Sequence, residues 1–210
     1  VDRLKQKMRD YGCRFLKTDE VFDLPDQVFN TIKIDTTKEY RTFKKDRIIK
    51  FEWIAKNKAP QIEFDEYRFY DPYKITDEGT TEITTFIGDT TLTKMLYERQ
   101  LCGSYNTNKL EALKDLLQSS DDRIIIFYNF NEEARVIVEM CEELNRPYSV
   151  VNGKGKDLRN YENFKNSITI IQYQAGAMGL NLQKANKIIY FTPPLSSELF
   201  EQSKKRTHRI

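Results

Sequence analysis

The sequence is poor in the residues that most metal and nucleophile chemistry needs. Among 210 residues there is one histidine, His208, and the three cysteines, Cys13, Cys102 and Cys141, lie far apart with no Cys-x-x-Cys pair. That excludes a histidine-rich metal centre, a zinc knuckle and a disulfide scaffold, and it suits a reducing compartment. A Ser-His-Asp system is open only if His208 carries it. No run approaches the roughly 20 apolar residues that cross a bilayer, and no signal-peptide pattern opens the chain, so no membrane partner is expected. An excess of one charge is missing too: 34 Lys+Arg stand against 32 Asp+Glu, a formal net charge of +2. Such a balance excludes a protein that holds nucleic acid by bulk charge and leaves a local basic site open. Hydrophobic residues make up only 39% of the chain, yet 13 Phe, 12 Tyr and one Trp supply enough large anchors to exclude disorder. Two phosphate signatures are also absent. There is no Gly-x-x-x-x-Gly-Lys-Ser/Thr loop, and no Gly-x-Gly-x-x-Gly follows a first strand, which sets aside a Rossmann-type cofactor enzyme.

From about Asn108 onward the pattern alternates between helical and strand periods. Leu110, Leu113, Leu116 and Leu117 fall at helical spacing within Lys109 to Leu117, and Ser119 to Asp122 breaks the run. Arg123 to Tyr128 (RIIIFY) is a nearly continuous apolar run, as a strand buried on both faces requires. Asn131 is the expected cap of the next helix, with Glu132 and Glu133 in its first turn and an apolar face running to about Leu144. Strands are expected at Tyr148 to Val151, Ile168 to Tyr173 and Lys187 to Phe191, and helices at Leu158 to Phe164 and from Ser196 to the end at Ile210. Strand, helix, strand, helix with short turns means parallel strands joined by crossovers, an α/β sheet domain.

The first half is less regular. Val1 to Phe15 reads as the tail of a basic helix and a loop, Phe22 to Pro25 as a turn, Val28 to Ile34 as a strand, and Thr37 to Phe51 as a helix with Tyr40, Phe43 and Ile48 available for burial. Residues 59–87 combine Pro60, Pro72 and Gly79 with β-prone stretches and read as an insertion with a hairpin. Thr91 to Cys102 returns to helical period. The expected division is a helical linker region at 1–107, with the insertion at about 57–89, and an α/β lobe at 108–210.

Four groups can carry chemistry. Gln202, Arg206 and Arg209 are four and then three residues apart, so on a helix they share one face; two guanidinium forks there suit a phosphate, and a solvated basic face suits the spacing equally. Gln174 to Leu182, directly after a strand, carries Gly176, Gly179 and Asn181. Its glycines allow backbone to approach a ligand, or the segment is an ordinary turn with Met178, Leu180 and Leu182 in the core. Asn129 and Phe130 end the RIIIF strand and either meet a ligand or pack. Lys154, in Gly153-Lys154-Gly155, either touches a polyanion backbone or caps a solvated turn.

The order of these groups resembles the last motifs of Swi/Snf-type superfamily two helicase-like ATPases. In that family a Gly-Leu-Asn-Leu segment, here Gly179 to Leu182, is followed by a strand, a proline-containing loop (Pro193-Pro194) and a Gln-x-x-x-Arg-x-His-Arg-Ile helix, here Gln202 to Ile210. Upstream, Arg99-Gln100-Leu101-Cys102 resembles the family's Leu-Arg-Gln-x-Cys helix, although Glu98 stands where its leucine would be. Lys109-Leu110 resembles its Ser-x-Lys-Leu segment, and Asp23-Leu24-Pro25 the Leu-Pro element after the first lobe.

The resemblance implies the second RecA-like lobe of an ATP-dependent double-stranded DNA translocase, cut short inside its last motif, whose ATP and Mg2+ are held mainly by a first lobe absent from this sequence. It implies that Arg206 and Arg209 reach the γ-phosphate, that Gln202 orients that helix or the nucleotide, that Gly176, Gly179 and Asn181 join nucleotide to nucleic-acid contacts, and that Asn129 and Lys154 lie along DNA. His208 becomes a packing or hydrogen-bonding residue of the motif, no metal ligand is expected, and the chain alone is expected to be inactive. A cytoplasmic or nucleoid-associated protein of bacterial or viral origin is expected. The competing expectation is a non-catalytic nucleic-acid or protein-binding module that uses the aromatics of the insertion, Phe64, Tyr67, Phe69, Tyr70 and Tyr73.

Overall fold

In a computed structural model the described residues are 2–12, 26–55, 80–176 and 180–205. The strands of the second half are β3 (Ile124–Tyr128), β4 (Tyr148–Asn152), β5 (Gly155–Lys156), β6 (Ile168–Gln172) and β7 (Lys187–Tyr190). They form one sheet in the order β5-β4-β6-β3-β7. β3 pairs parallel with β6 and β7, which sets Ile126 opposite Ile170 on one side and Ile189 on the other. β4 pairs parallel with β6, and the short β5 folds back antiparallel on β4. A central parallel strand has no solvent face, and all five residues of β3 are buried.

Alternation sends the two faces of β3 to different helices. Ile124, Ile126 and Tyr128 pack with Leu113 and Leu117 of α4 (Thr107–Gln118) and with Ile137 and Cys141 of α5 (Asn131–Glu143). Ile125 and Phe127 pack with Tyr161 of α6 (Arg159–Asn163), Tyr173 and Ala175 of α7 (Tyr173–Gly176), and Leu199 of α8 (Ser197–Lys204). The result is a RecA-like α/β sheet with helices on both faces.

Several boundaries differ from expectation. Phe130, not Asn131, is the N-cap of α5. Its side chain makes no cap hydrogen bond, and Glu133 reaches back to the free amides instead. Tyr173 opens a helical turn and does not end a strand. α8 is described only to Lys204, so Arg206 and Arg209 lie outside the described residues.

In the first half, α1 spans Asp2–Asp10 and α2 spans Lys38–Asp46. α2 stops short of the expected Phe51 because Arg47 turns left-handed (φ 59°) and its amide donates to the Phe43 carbonyl. Residues from Ile48 then form β1 (Ile48–Ala55), antiparallel to β2 (Thr80–Ile87). Pairing with a β-prone partner outweighs the helical spacing of Tyr40, Phe43 and Ile48, and it is Ile49 that is buried while Ile48 is exposed. The expected strand at Val28 to Ile34 has no regular structure, and Val28, Phe29 and Ile32 are exposed. The turn at Phe22 to Pro25 and the insertion aromatics from Phe64 to Tyr73 lie outside the described residues. α3 (Thr91–Cys102) matches its expectation and contributes Leu101 and Tyr97 to a small core with Phe43, Ile49 and Phe86.

Arg146 ties the amino-terminal edge of the sheet together. It is 8% exposed; its Nε donates to Asn166 O (2.8 Å), Nη1 to Leu117 O (2.8 Å) and Ser120 O (2.6 Å), and Nη2 to Asp122 O (2.9 Å). Leu117 lies in the last turn of α4, where carbonyls lack helical partners and a cation is favoured. Arg146→Ala is expected to lower unfolding free energy by about 3–5 kcal/mol, since it leaves four carbonyls short of a donor. Arg146→Lys is expected to recover less than half, because one ammonium cannot span the fork. Urea denaturation of the three proteins checks both.

Candidate functional site

Parallel strands all end on one side of the sheet, so Asn129 after β3, Tyr173 after β6 and Thr192 beyond β7 gather at one edge. Open α/β sheets place their ligands at this edge. Its centre is Glu133, with 0% exposure, in the first turn of α5. Glu133 Oε2 accepts from the amides of Asn129 (2.9 Å) and Phe130 (3.2 Å), two of the donors a helix start leaves unpaired. Its Oε1 accepts from the Thr192 hydroxyl at 2.5 Å. Lys109 Nζ donates to the same hydroxyl oxygen (3.2 Å) and stands 4.1 Å from the Phe191 ring centroid. Burial raises the Glu133 carboxyl above its ordinary range, against the pull of the Thr192 hydroxyl and the two amides. Burial likewise lowers the Lys109 ammonium, and the Glu133 charge opposes that.

The backbone must come close for this to assemble. At Gly103, just past α3, an added Cβ would stand 2.1 Å from Glu133 Oε1 and 3.0 Å from Thr192 Oγ1, so any side chain there would have to displace the Glu133 carboxyl. Asn106 then accepts from the Lys109 amide through Oδ1 to cap α4, and donates through Nδ2 to Asp35 O. The segment between α3 and α4 is therefore fastened to the edge of the sheet. Sequence reasoning placed Glu133 in the first turn of its helix but gave it no part in the site, and it passed over Thr192 and Gly103. The available signal was Glu133 three residues past the helix cap, the reciprocal capping position.

The expected site residues fall into three groups. Asn129 is part of this edge, and its amide nitrogen donates to Thr192 O and to Pro193 O (3.1 Å). Lys154 is exposed in the turn between β4 and β5, on the same edge but with β6 between its strand and that of Asn129. Its backbone amide donates to Asn152 Oδ1 (2.9 Å), which shapes the turn and leaves the ammonium toward solvent. Gly176 ends α7, which packs against α8, and α8 carries Gln202. Gln202 Nε2 donates to Glu198 Oε1 (3.1 Å) one turn back, and Asn181 is exposed. The structure thus brings Gly176 and Gln202 onto neighbouring elements. Gly179, Arg206, His208 and Arg209 lie outside the described residues. Among the described residues there is no group of three His, Cys, Asp or Glu side chains able to hold a metal ion, and no helix long and apolar enough to cross a membrane.

Residues 108–210 match the helicase conserved C-terminal domain. The α/β sheet is therefore a helicase C-terminal domain. The motif order given above resembles that of the second lobe of Swi/Snf-type helicase-like ATPases. Over 155 residues the chain is 28% identical to DNA repair protein rad8 of Schizosaccharomyces pombe, a match that covers 70% of this chain and 13% of that protein. A similar solved structure is the C-terminal part of the Fun30 ATPase domain, 23% identical, with a TM-score of 0.47, over 51% of this chain and 38% of that one. The chain spans a small part of the length of both. The yeast relative is eukaryotic, whereas a bacterial or viral setting was expected from the sequence.

Glu133→Ala is expected to cost about 3–5 kcal/mol, because it strands two amides, a hydroxyl and the half-buried Lys109. Glu133→Gln keeps the shape and most acceptors and is expected to cost less than half of that. The carboxyl is raised in the folded state, so between the usual carboxylate value and the raised one the folded protein holds more protons than the unfolded chain. Stability then falls as pH rises through that window. Chemical denaturation midpoints from pH 4 to 8 are expected to show this slope in the wild type and a flatter one in Glu133→Gln.

Proposed function

We propose that this lobe works as the second half of an ATP-driven motor on double-stranded DNA and hydrolyses no ATP by itself. The observation that carries the reading is the helicase C-terminal domain match over 108–210, which fits a lobe that closes over nucleotide held elsewhere. The 210 residues contain no phosphate-loop motif, so the triphosphate and its Mg2+ belong to a first lobe, and residues 1–107 act as the linker region that leads into this one. When bound, the nucleotide supplies the phosphoryl group whose transfer drives movement.

In this reading Arg206 and Arg209 follow α8 and present guanidinium groups to the charge that develops on the transferring phosphoryl, a contribution worth about 10³–10⁵ in rate in such enzymes. Gln202 holds α8 to the nucleotide side. Gly176, Gly179 and Asn181 line the passage from nucleotide to nucleic acid, which suits the adjacency of α7 and α8. The exposed Lys154 contacts the DNA backbone. The Asn129 amide nitrogen is already engaged by two carbonyls, so its part in DNA contact is to fix the loop next to the strand. Such a protein resides with DNA.

The expected result is no ATP hydrolysis by the 210-residue chain with or without DNA. In the two-lobed protein, Arg206→Ala and Arg209→Ala are each expected to lower DNA-stimulated turnover about 10³-fold or more, with ATP affinity changed by only a few-fold. Near wild-type turnover in both variants would remove the role assigned to the arginines. Lys154→Ala is expected to weaken duplex binding modestly and to reduce the salt slope by about one.

A further inference from the structure

The loop from Thr192 to Ser196 joins β7 to α8, and its backbone is short of donors. Pro193 and Pro194 both lack an N–H, so the carbonyls of Thr192 and Pro193 must find donors elsewhere. They find them on two side chains from distant segments. Arg99, in the last turn of α3, donates from Nη2 to Pro193 O at 2.7 Å. Asn129, at the end of β3, donates from Nδ2 to the same oxygen at 3.1 Å and also to Thr192 O. The Arg99 guanidinium lies 5.4 Å from the centroid of the ring of Phe130, the N-cap of α5, within the range of a cation–π contact. The far end of α8 is also met from outside: Gln27 Nε2 donates to Lys204 O at 3.4 Å.

We propose that Arg99 and Asn129 form a clamp on the Pro193 carbonyl that sets the direction in which α8 leaves the sheet. Arg99 is then a positioning residue supplied by the segment before the lobe. A movement of α3 relative to the sheet would release the carbonyl and let α8 swing, so the clamp couples the linker region to the helix that precedes Arg206. Its mechanistic consequence rests on the function proposed above; its geometry does not.

Hydrogen exchange on the 210-residue chain tests the clamp without any activity. Arg99→Met and Asn129→Leu are expected to raise exchange of the Leu195–Lys204 amides at least 10-fold while α5 and β3 keep theirs. Arg99→Lys, which can still reach one carbonyl, is expected to restore most of the protection. Unchanged exchange in α8, or an equal loss throughout the lobe, would overturn the clamp. Turnover in the two-lobed protein tests the consequence: Arg99→Met is expected to lower kcat about 10-fold with the KM for ATP within twofold, and Arg99→Lys to recover it. Loosened α8 with wild-type kcat would overturn the positioning role. A wild-type two-lobed protein that hydrolyses no ATP would overturn the proposed function and leave the exchange result standing.

Discussion

At the carboxyl edge of the sheet a carboxylate without exposed surface is closed on by donors from two separate stretches of chain, with a third behind them. Glu133 takes two amides at the start of its own helix and the hydroxyl of Thr192 beyond β7, with the ammonium of Lys109 on the far side of that hydroxyl. A buried charge of this kind is tolerable only when its lone pairs are filled. That requirement fixes the rest of the edge. Thr192 must sit beside α5, which sets where β7 ends and α8 begins. Gly103 must lack a side chain, which brings the end of α3 against the lobe.

Two cores meet across that junction. The lobe has apolar layers on both faces of the sheet. The smaller core is aromatic: Phe86 stacks on Tyr97 at 4.4 Å between centroids, and Phe43 meets both rings edge-on. Leu101 belongs to the smaller core, and Asn106 already caps a helix of the larger one. The connection between them is thus five residues or fewer and polar in its anchoring. Hydrogen bonds there specify one arrangement, whereas apolar contact alone would tolerate sliding.

What the sequence made legible follows from how local each signal is. The β3 run IIIFY is apolar because both faces are covered, and α3 and α4 announce themselves by helical spacing, while their caps Thr90 and Asn106 emerge only in the structure. Each of these depends on neighbours in the chain. The helix expected to run on to Phe51 failed at Arg47 because pairing with Thr80–Ile87, some 30 residues on, is not written in local spacing. Val28 to Ile34 alternates like a strand, but no described strand pairs with it, and alternation without a partner makes no sheet. The glycine, asparagine and lysine groups of the candidate site were visible as motifs in order along the chain. The Glu133 node was not, since it depends on strand order: β3 must lie beside β7 before Glu133 can meet Thr192.

The near-zero total charge takes on a different meaning once the interior is known. Arg146 donates to four carbonyls, Glu133 accepts from three donors, and Arg135 is paired with Glu132 and Glu139, so these charges hold the fold and project little field outward. Lys204 is paired with Glu201. The cations left facing solvent at the carboxyl edge include Lys154 and Lys156, both on the β4–β5 hairpin. A polyanion approaching this hairpin meets two exposed ammonium groups, at the same edge as the loop into α8. Attraction of that kind is short-ranged at physiological salt, decaying over about 8 Å. It favours a partner that lies along the edge over one held by the whole surface, and in the function proposed above the duplex contact and the helix preceding Arg206 share one side of the sheet.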